Sequence, residues 1–351
     1  MNRARAALLA LLILAGCADE PGGKRGQTDA VLYTIGLSTD PYGESRPRGF
    51  GIATGVSGDR LEKVEVREPG LGGFGGAEWL DLSTVVVPRP APPLRRPLIY
   101  HYDGVLKRQG DAPIPGGANY DWSPVAKLFA YESVKPCKPK QRSMYVCYRT
   151  ARQLFIVAAD GSPRRRLTRG HLMGWTADGR IAFYRSYQRA TPYAYDLKTR
   201  KTGSILPGWK VDLPAWSPDR RFAAALTGDG VLVSRSDGRA VQTIRSKLML
   251  SMIAWSPRGR RLAYTTSGFP DPHQLFVLDS PTAKPRLLYA TGGMHFDWIT
   301  WSPDGQWLLL DEEHHDRWLL LRTDRSGARR VLPRLGGRPL WCCPVNSFRG
   351  S

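Results

Sequence analysis

The densest grouping of chemistry-bearing side chains in this sequence is Asp311-Glu312-Glu313-His314-His315-Asp316, with carboxylates on both sides of two imidazoles. Such a mixture can hold a divalent cation or work as acid and base, because imidazole titrates near neutrality and carboxylates are hard oxygen ligands. Asp121, His171, Asp212, His295 and Asp297 form a second, dispersed set, each close ahead of a Trp-bearing segment. The competing reading is a solvated turn at 311–317 and ordinary loop polar groups elsewhere, since sequence separation does not show convergence in space. Metal binding is therefore left open. The string Gly70-Leu71-Gly72-Gly73-Phe74-Gly75 has the spacing of a dinucleotide loop, but a strand follows it rather than a helix. No Gly-x-Ser-x-Gly, His-Glu-x-x-His or Walker pattern occurs. No catalytic residue and no cofactor is assigned.

These residues must be positioned by a repeat. The best copies are Ala215-Trp216-Ser217-Pro218-Asp219, Ala254-Trp255-Ser256-Pro257-Arg258-Gly259 and Thr300-Trp301-Ser302-Pro303-Asp304-Gly305. Looser ones are Asp121-Trp122-Ser123-Pro124 and Gly174-Trp175-Thr176-Ala177-Asp178-Gly179, and Trp79 and Trp341 are degenerate. Successive Trp spacings are 43, 53, 41, 39, 46 and 40. A period near 40 with Trp, Asp-Gly turns and several short apolar runs per unit indicates propeller blades of four strands. Trp sits on the first strand, and Pro-Asp-Gly turns the chain into the second, because Gly accepts positive φ and Asp bonds its own backbone.

The motif resembles the Trp-Ser-Pro-Asp-Gly repeat of TolB-type propellers, also present in the propellers of prolyl oligopeptidase relatives. The resemblance covers about residues 76 to 344. It implies that Trp122, Trp175, Trp216, Trp255 and Trp301 pack between neighbouring blades rather than stack on a ligand. No catalytic α/β domain follows, so peptidase activity is not implied. The fold expected is an all-β propeller. Six units start at Trp79 and its successors. The strand at Trp341 would join three N-terminal segments (31–37, 50–56 and 61–66) to complete a seventh, which also removes open edges. Six blades, as in TolB itself, is the alternative if the first segment is only an extension.

The N-terminus reads as an export signal. Arg3 and Arg5 precede the apolar run Ala6–Ala15, which is shorter than the roughly 20 residues a membrane-spanning helix needs. Leu14-Ala15-Gly16-Cys17 resembles the lipobox of bacterial lipoproteins, which implies cleavage before Cys17 and lipidation of its thiol. The organisation expected is a signal peptide over 1–16, a lipidated Gly-rich tether over 17–29 and the propeller over 30–351. Besides Cys17, the chain has Cys137, Cys147, Cys342 and Cys343. In an oxidising compartment a Cys137–Cys147 disulfide is the preferred pairing, with Cys342 and Cys343 left undecided.

The net charge is +20, from 51 Lys and Arg against 31 Asp and Glu. This favours anionic neighbours such as lipid head groups or acidic wall polymers. Apart from Arg164-Arg165-Arg166 the basic residues are scattered, so no nucleic-acid groove is indicated. Turns after first and third strands share one face of the disc; loops after second and fourth strands share the other, where the irregular sequence concentrates. The function expected is a lipid-anchored, extracytoplasmic binding or scaffold module for an envelope protein, a peptide or an anionic polymer. The alternative is an envelope lyase or hydrolase with a metal-assisted site at the channel.

Overall fold

A computed structural model of the chain describes residues 30–341 except 40–44, 55, 57–60, 68–77, 80–82, 90–94, 116–118, 124–125, 134–151, 177, 186–190, 207–214, 220, 258–259, 268–271, 293–295, 297, 313–316, 325 and 336. Blade I contains β1 (Val31–Thr39), β2 (Ser45–Thr54) and β3 (Glu62–Arg67). Blade II is β4 (Glu78–Trp79), β5 (Thr84–Arg89), β6 (Arg95–Tyr102) and β7 (Leu106–Asp111). Blade III is β8 (Tyr120–Ser123), β9 (Leu128–Glu132), β10 (Gln153–Ala158) and β11 (Arg165–Arg169). Blade IV is β12 (His171–Trp175), β13 (Ile181–Tyr184), β14 (Pro192–Tyr195) and β15 (Thr202–Ser204). Blade V is β16 (Ala215–Trp216), β17 (Phe222–Thr227), β18 (Gly230–Arg235) and β19 (Ala240–Arg245). Blade VI is β20 (Met249–Trp255), β21 (Leu262–Ser267), β22 (His273–Leu278) and β23 (Arg286–Thr291). Blade VII is β24 (Trp298–Trp301), β25 (Trp307–Glu312), β26 (Arg317–Arg322) and β27 (Arg329–Pro333).

The last strand, β28 (Gly337–Trp341), pairs antiparallel with β1 and completes blade I in the order β28-β1-β2-β3. The molecule is thus an all-β propeller of seven four-stranded blades, with no helix among the described residues. The six-bladed alternative is excluded. All seven marker Trp residues lie on the first strand of their blade, and first strands of neighbouring blades meet where β8 faces β12, β16 faces β20, β20 faces β24 and β24 faces β28.

The burial pattern explains why these segments pair as they do. Side chains alternate between the two faces of a strand, and both faces of each blade meet a neighbour. In β5, Val85 and Val87 enter the core between blades I and II while Val86 enters the next. In β17, Ala223 and Ala225 face blade IV and Ala224 faces blade VI. In β25, Leu308 and Leu310 face blade VI and Leu309 faces blade I. Burying a Val or Leu side chain contributes about 1.5–3 kcal/mol, so a second strand gains from apolar residues at successive positions rather than at alternate ones. The seam between blades VII and I has the same construction. Tyr33 sets its ring edge-on to Trp318, with centroids 5.5 Å apart, and donates to Glu65 Oε1 at 3.0 Å. Its cross-strand partner is Gly51, where a Cβ would lie 2.4 Å from the Tyr33 ring.

The repeat motif makes two kinds of bond. Its hydroxyl braces the turn: Ser302 Oγ donates to Asp304 and accepts from the Trp307 amide at 2.9 Å, and Ser217 does the same with Asp219 and Phe222. Gly305 adopts φ 69° in this turn. Its indole ties blades together. The Nε1–H of Trp175, Trp255 and Trp301 donates to the carbonyl of Asp121, Ala215 and Ala254, at 3.1, 2.8 and 2.9 Å. Each acceptor is the residue just before the marker Trp of the preceding blade. Trp79 reaches Leu340 at 3.4 Å in the same way. Trp216 and Trp341 break the series, the Trp341 indole N–H having no partner among the described residues either, and Trp216 shows why. Its counterpart acceptor would be Gly174, where β12 carries a bulge, and among the described residues its Nε1 has no partner.

Replacing Trp255 by Phe should lower stability to urea by about 1–3 kcal/mol more than replacing Trp216 by Phe, because only the first removes a hydrogen bond from a buried carbonyl. Equilibrium denaturation of the two variants checks this, and equal costs would mean that the indole bond adds nothing.

Candidate functional site

Ends of second strands and starts of first and third strands share one face of the disc, the face on which the sequence places its chemistry. Asp121 lies in β8 and His171 opens β12, on either side of the junction between blades III and IV. The Asp121 carboxylate accepts the backbone N–H of Trp175 at 2.8 Å, and its own carbonyl accepts the Trp175 indole. Both ends of Asp121 are engaged in holding blade IV against blade III.

His171 is 1% exposed, with Nδ1 3.9 Å from Oε2 of Glu132, a residue that the sequence did not single out. Glu132 ends β9 and is equally buried. Its Oε2 accepts from Arg152 Nη1 at 3.1 Å, while Oε1 accepts from Asn119 at 3.5 Å and from the backbone amide of Leu172. Asn119 also donates to the Leu172 carbonyl at 3.3 Å. A buried carboxylate is costly unless its lone pairs are satisfied; here the donors come from both blades. Burial pushes the Glu132 carboxyl up, opposed by Arg152, and pushes His171 down to about 4, helped by Arg152. At neutral pH His171 is an uncharged part of the junction.

Blade VII repeats the arrangement. Phe129 pairs with Trp122 and Leu308 with Trp301, so Glu132 and Asp311, three residues further on, hold corresponding places. Asp311 is 1% exposed and binds Arg334 through two contacts, of 2.8 and 3.4 Å. Glu312 is also buried, and its Oε2 accepts from Arg317 Nε at 2.5 Å, which raises the pKa of Arg317. The expected solvated turn is therefore a pair of buried ion pairs at its first two residues, because β25 runs on to Glu312. His273, at the start of β22, is a further buried imidazole, edge-on to Phe296 with centroids 6.4 Å apart.

The structure brings His171 together with Glu132 and Arg152, and it commits Asp121 to Trp175. Asp212, His295, Asp297, His314 and His315 lie outside the described residues, as do Cys17, Cys137, Cys147, Cys342 and Cys343. Among the described residues no group of three or more His, Cys, Asp or Glu could hold a metal ion. Glu132 has one sequence signal: like Asp311, it is an acid where a blade's second strand ends.

A neutral buried His171 makes stability depend on pH with a definite sign. Its folded pKa lies below the unfolded value near 6.5, so its contribution is complete above about pH 6.5 and is lost as pH falls toward 4. The raised pKa of Glu132 acts in the opposite direction, favouring the folded state on acidification. Melting temperatures between pH 7 and 4 should fall less steeply for His171→Asn than for the parent chain. Parallel curves would show that His171 does not titrate on unfolding. Arg152→Ala leaves the Glu132 charge without its cation and should cost about 3–5 kcal/mol, read by denaturation at neutral pH.

No family model and no curated protein matches the chain. Solved structures similar to it include a putative 6-phosphogluconolactonase from Bacteroides fragilis, 14% identical with a TM-score of 0.54 over 87% of this chain and 94% of that one. The periplasmic gluconolactonase of Pseudomonas aeruginosa is 18% identical, with a TM-score of 0.51 over 88% and 98%. TolB from Acinetobacter baumannii is 17% identical, with a TM-score of 0.47 over 89% and 82%. At such identities the likeness to the two lactonase structures is one of fold, and the fold this chain shares with them is the β-propeller.

Proposed function

We propose that this chain is a lipid-anchored, extracytoplasmic propeller that binds an envelope protein, a peptide or an anionic polymer. The observation that carries the reading is the use made of its acids and imidazole. Asp121, Glu132, His171, Asp311 and Glu312 are buried or bonded within and between blades. Groups spent in this way hold a rigid disc together and leave recognition to loops and rim. The +20 charge favours an anionic neighbour. Cys17 supplies the anchor, and a Gly-rich tether of this length spans on the order of 20 Å. Propellers host unrelated functions, so the lactonase names of the similar structures do not transfer with the fold.

Fractionation tests the anchor. The full chain should sediment with membranes and Cys17→Ser should appear in the soluble extracytoplasmic fraction; a variant that stays with the membrane overturns the anchor. Cross-linking of the full chain in intact cells, followed by mass spectrometry, should recover the same envelope protein or polymer in repeated experiments. Stoichiometric metal in the purified chain, lost in His295→Ala or His315→Ala, would overturn the binding reading in favour of an enzyme.

A further inference from the structure

The junction between blades V and VI opens toward the rim as a shallow groove of about 490 Å³. Its floor is one face of blade VI. Tyr264 and Thr266 of β21 lie opposite Phe276 and Gln274 of β22, and the two rings stack at 5.1 Å with 13° between their planes. Ile244 and Arg245, at the end of β19, form one wall with the Ser246-Lys247-Leu248 connection, and Lys284 and Pro285 complete the lining. The wall is braced: the Ser246 amide donates to the Asp229 carbonyl at 3.0 Å, and Ser246 Oγ accepts from the Leu248 amide at 3.1 Å. Gln242 ties β19 to blade VI by donating to the carbonyls of Pro281 and Ala283, at 2.7 and 3.2 Å.

Two independent features of this groove favour a ligand. Arg245, Lys247 and Lys284 are exposed and have no carboxylate partner among the described residues, whereas nearby Arg260 and Arg286 pair with Asp219 and Asp279. Three unneutralised cations around one concavity attract an anion. The second feature lies in the floor. Thr266 is 2% exposed and lines the groove, and its hydroxyl has no hydrogen-bond partner among the described residues. A buried hydroxyl left unbonded is costly, and rotation of Thr266 about χ1 exchanges its methyl and hydroxyl, which lets a polar group in the groove satisfy it.

We infer that this groove binds an extended acidic peptide segment, its carboxylates on Arg245, Lys247 and Lys284 and an apolar side chain on the Tyr264–Phe276 floor. The inference rests on the binding reading above and names a ligand class for it. Ile244, Leu248, Tyr264, Phe276 and Pro285 give the lining a large apolar share. A polyanion without apolar side chains leaves that surface in water, whereas a peptide alternating acidic and apolar residues meets both parts. A phenol is protonated at neutral pH, and burial pushes that of Tyr264 further up, to about 12, so the floor adds no negative charge.

The test is fluorescence anisotropy of the full chain in detergent with a labelled ten-residue peptide of alternating Val and Glu. Saturable binding is expected, weakening as salt rises. Arg245→Ala combined with Lys247→Ala should reduce affinity at least tenfold, and Thr266→Val severalfold. Arg329→Ala, an exposed cation on blade VII, should leave affinity unchanged. Equal affinity in the parent and the groove variants would place the peptide elsewhere and overturn the groove, leaving the binding reading intact. Polygalacturonate binding that is lost in the same variants, with no peptide binding, would overturn the peptide in favour of a polymer. Absence of both would overturn the groove alone, because cross-linking in cells tests the binding reading separately.

Discussion

A four-stranded sheet with apolar side chains on both faces cannot cover itself, and every other feature of this molecule follows from that. Each blade supplies half of two different cores, so it needs a neighbour on each side, and the requirement is met only when the row of blades closes. Closure falls to β28, which lies beside β1 and lets Trp341 and Leu340 pack with the N-terminal strands. Both ends of the described chain are thereby held in one blade, and no blade is left with an uncovered face.

Polar groups in the ring serve the same end. Trp indoles reach back to the preceding blade's first strand, and motif hydroxyls stiffen the turn that aims the indole. Where a second strand ends in an acid, that acid is buried and collects donors. Glu132 draws them from blade IV as well as its own blade, and Asp311 takes Arg334 from the segment that leads to the closing strand. Residues with the chemistry of an active site thus serve as fasteners here. Buried ion pairs seldom add net stability over apolar packing, but breaking one leaves an uncompensated charge, which holds adjacent blades to a single arrangement.

The groove at the V–VI junction has the opposite character. Blades diverge toward the rim, so the apolar core thins there and side chains at the wedge reach water. At this junction the wedge keeps an aromatic floor and, among the described residues, a hydroxyl without a bond and three cations without a carboxylate partner. Rigidity from the ring and openness at its edge are compatible because they draw on different strands: first strands carry the indole bonds between blades, and the groove lies along the fourth strand of blade V.

The repeat, its period and the place of each marker Trp could be read from the sequence, since a repeat near 40 residues records a period that packing must obey. The three N-terminal segments without a marker were legible for the same reason, as they supply what Trp341 lacks. Seven blades rather than six was decided by the pairing of β28 with β1, a contact between residues about 300 positions apart that no local pattern encodes. The roles of the polar residues were likewise hidden. Asp121 and His171 stood out by type, but the bond of Asp121 to Trp175, the burial of His171 and its place beside Glu132, Arg152 and Asn119 depend on how blade IV leans on blade III. Local sequence sets which residues form a strand and a turn; whether an acid at the strand's end meets water, a cation or the next blade is set only when the ring closes around it.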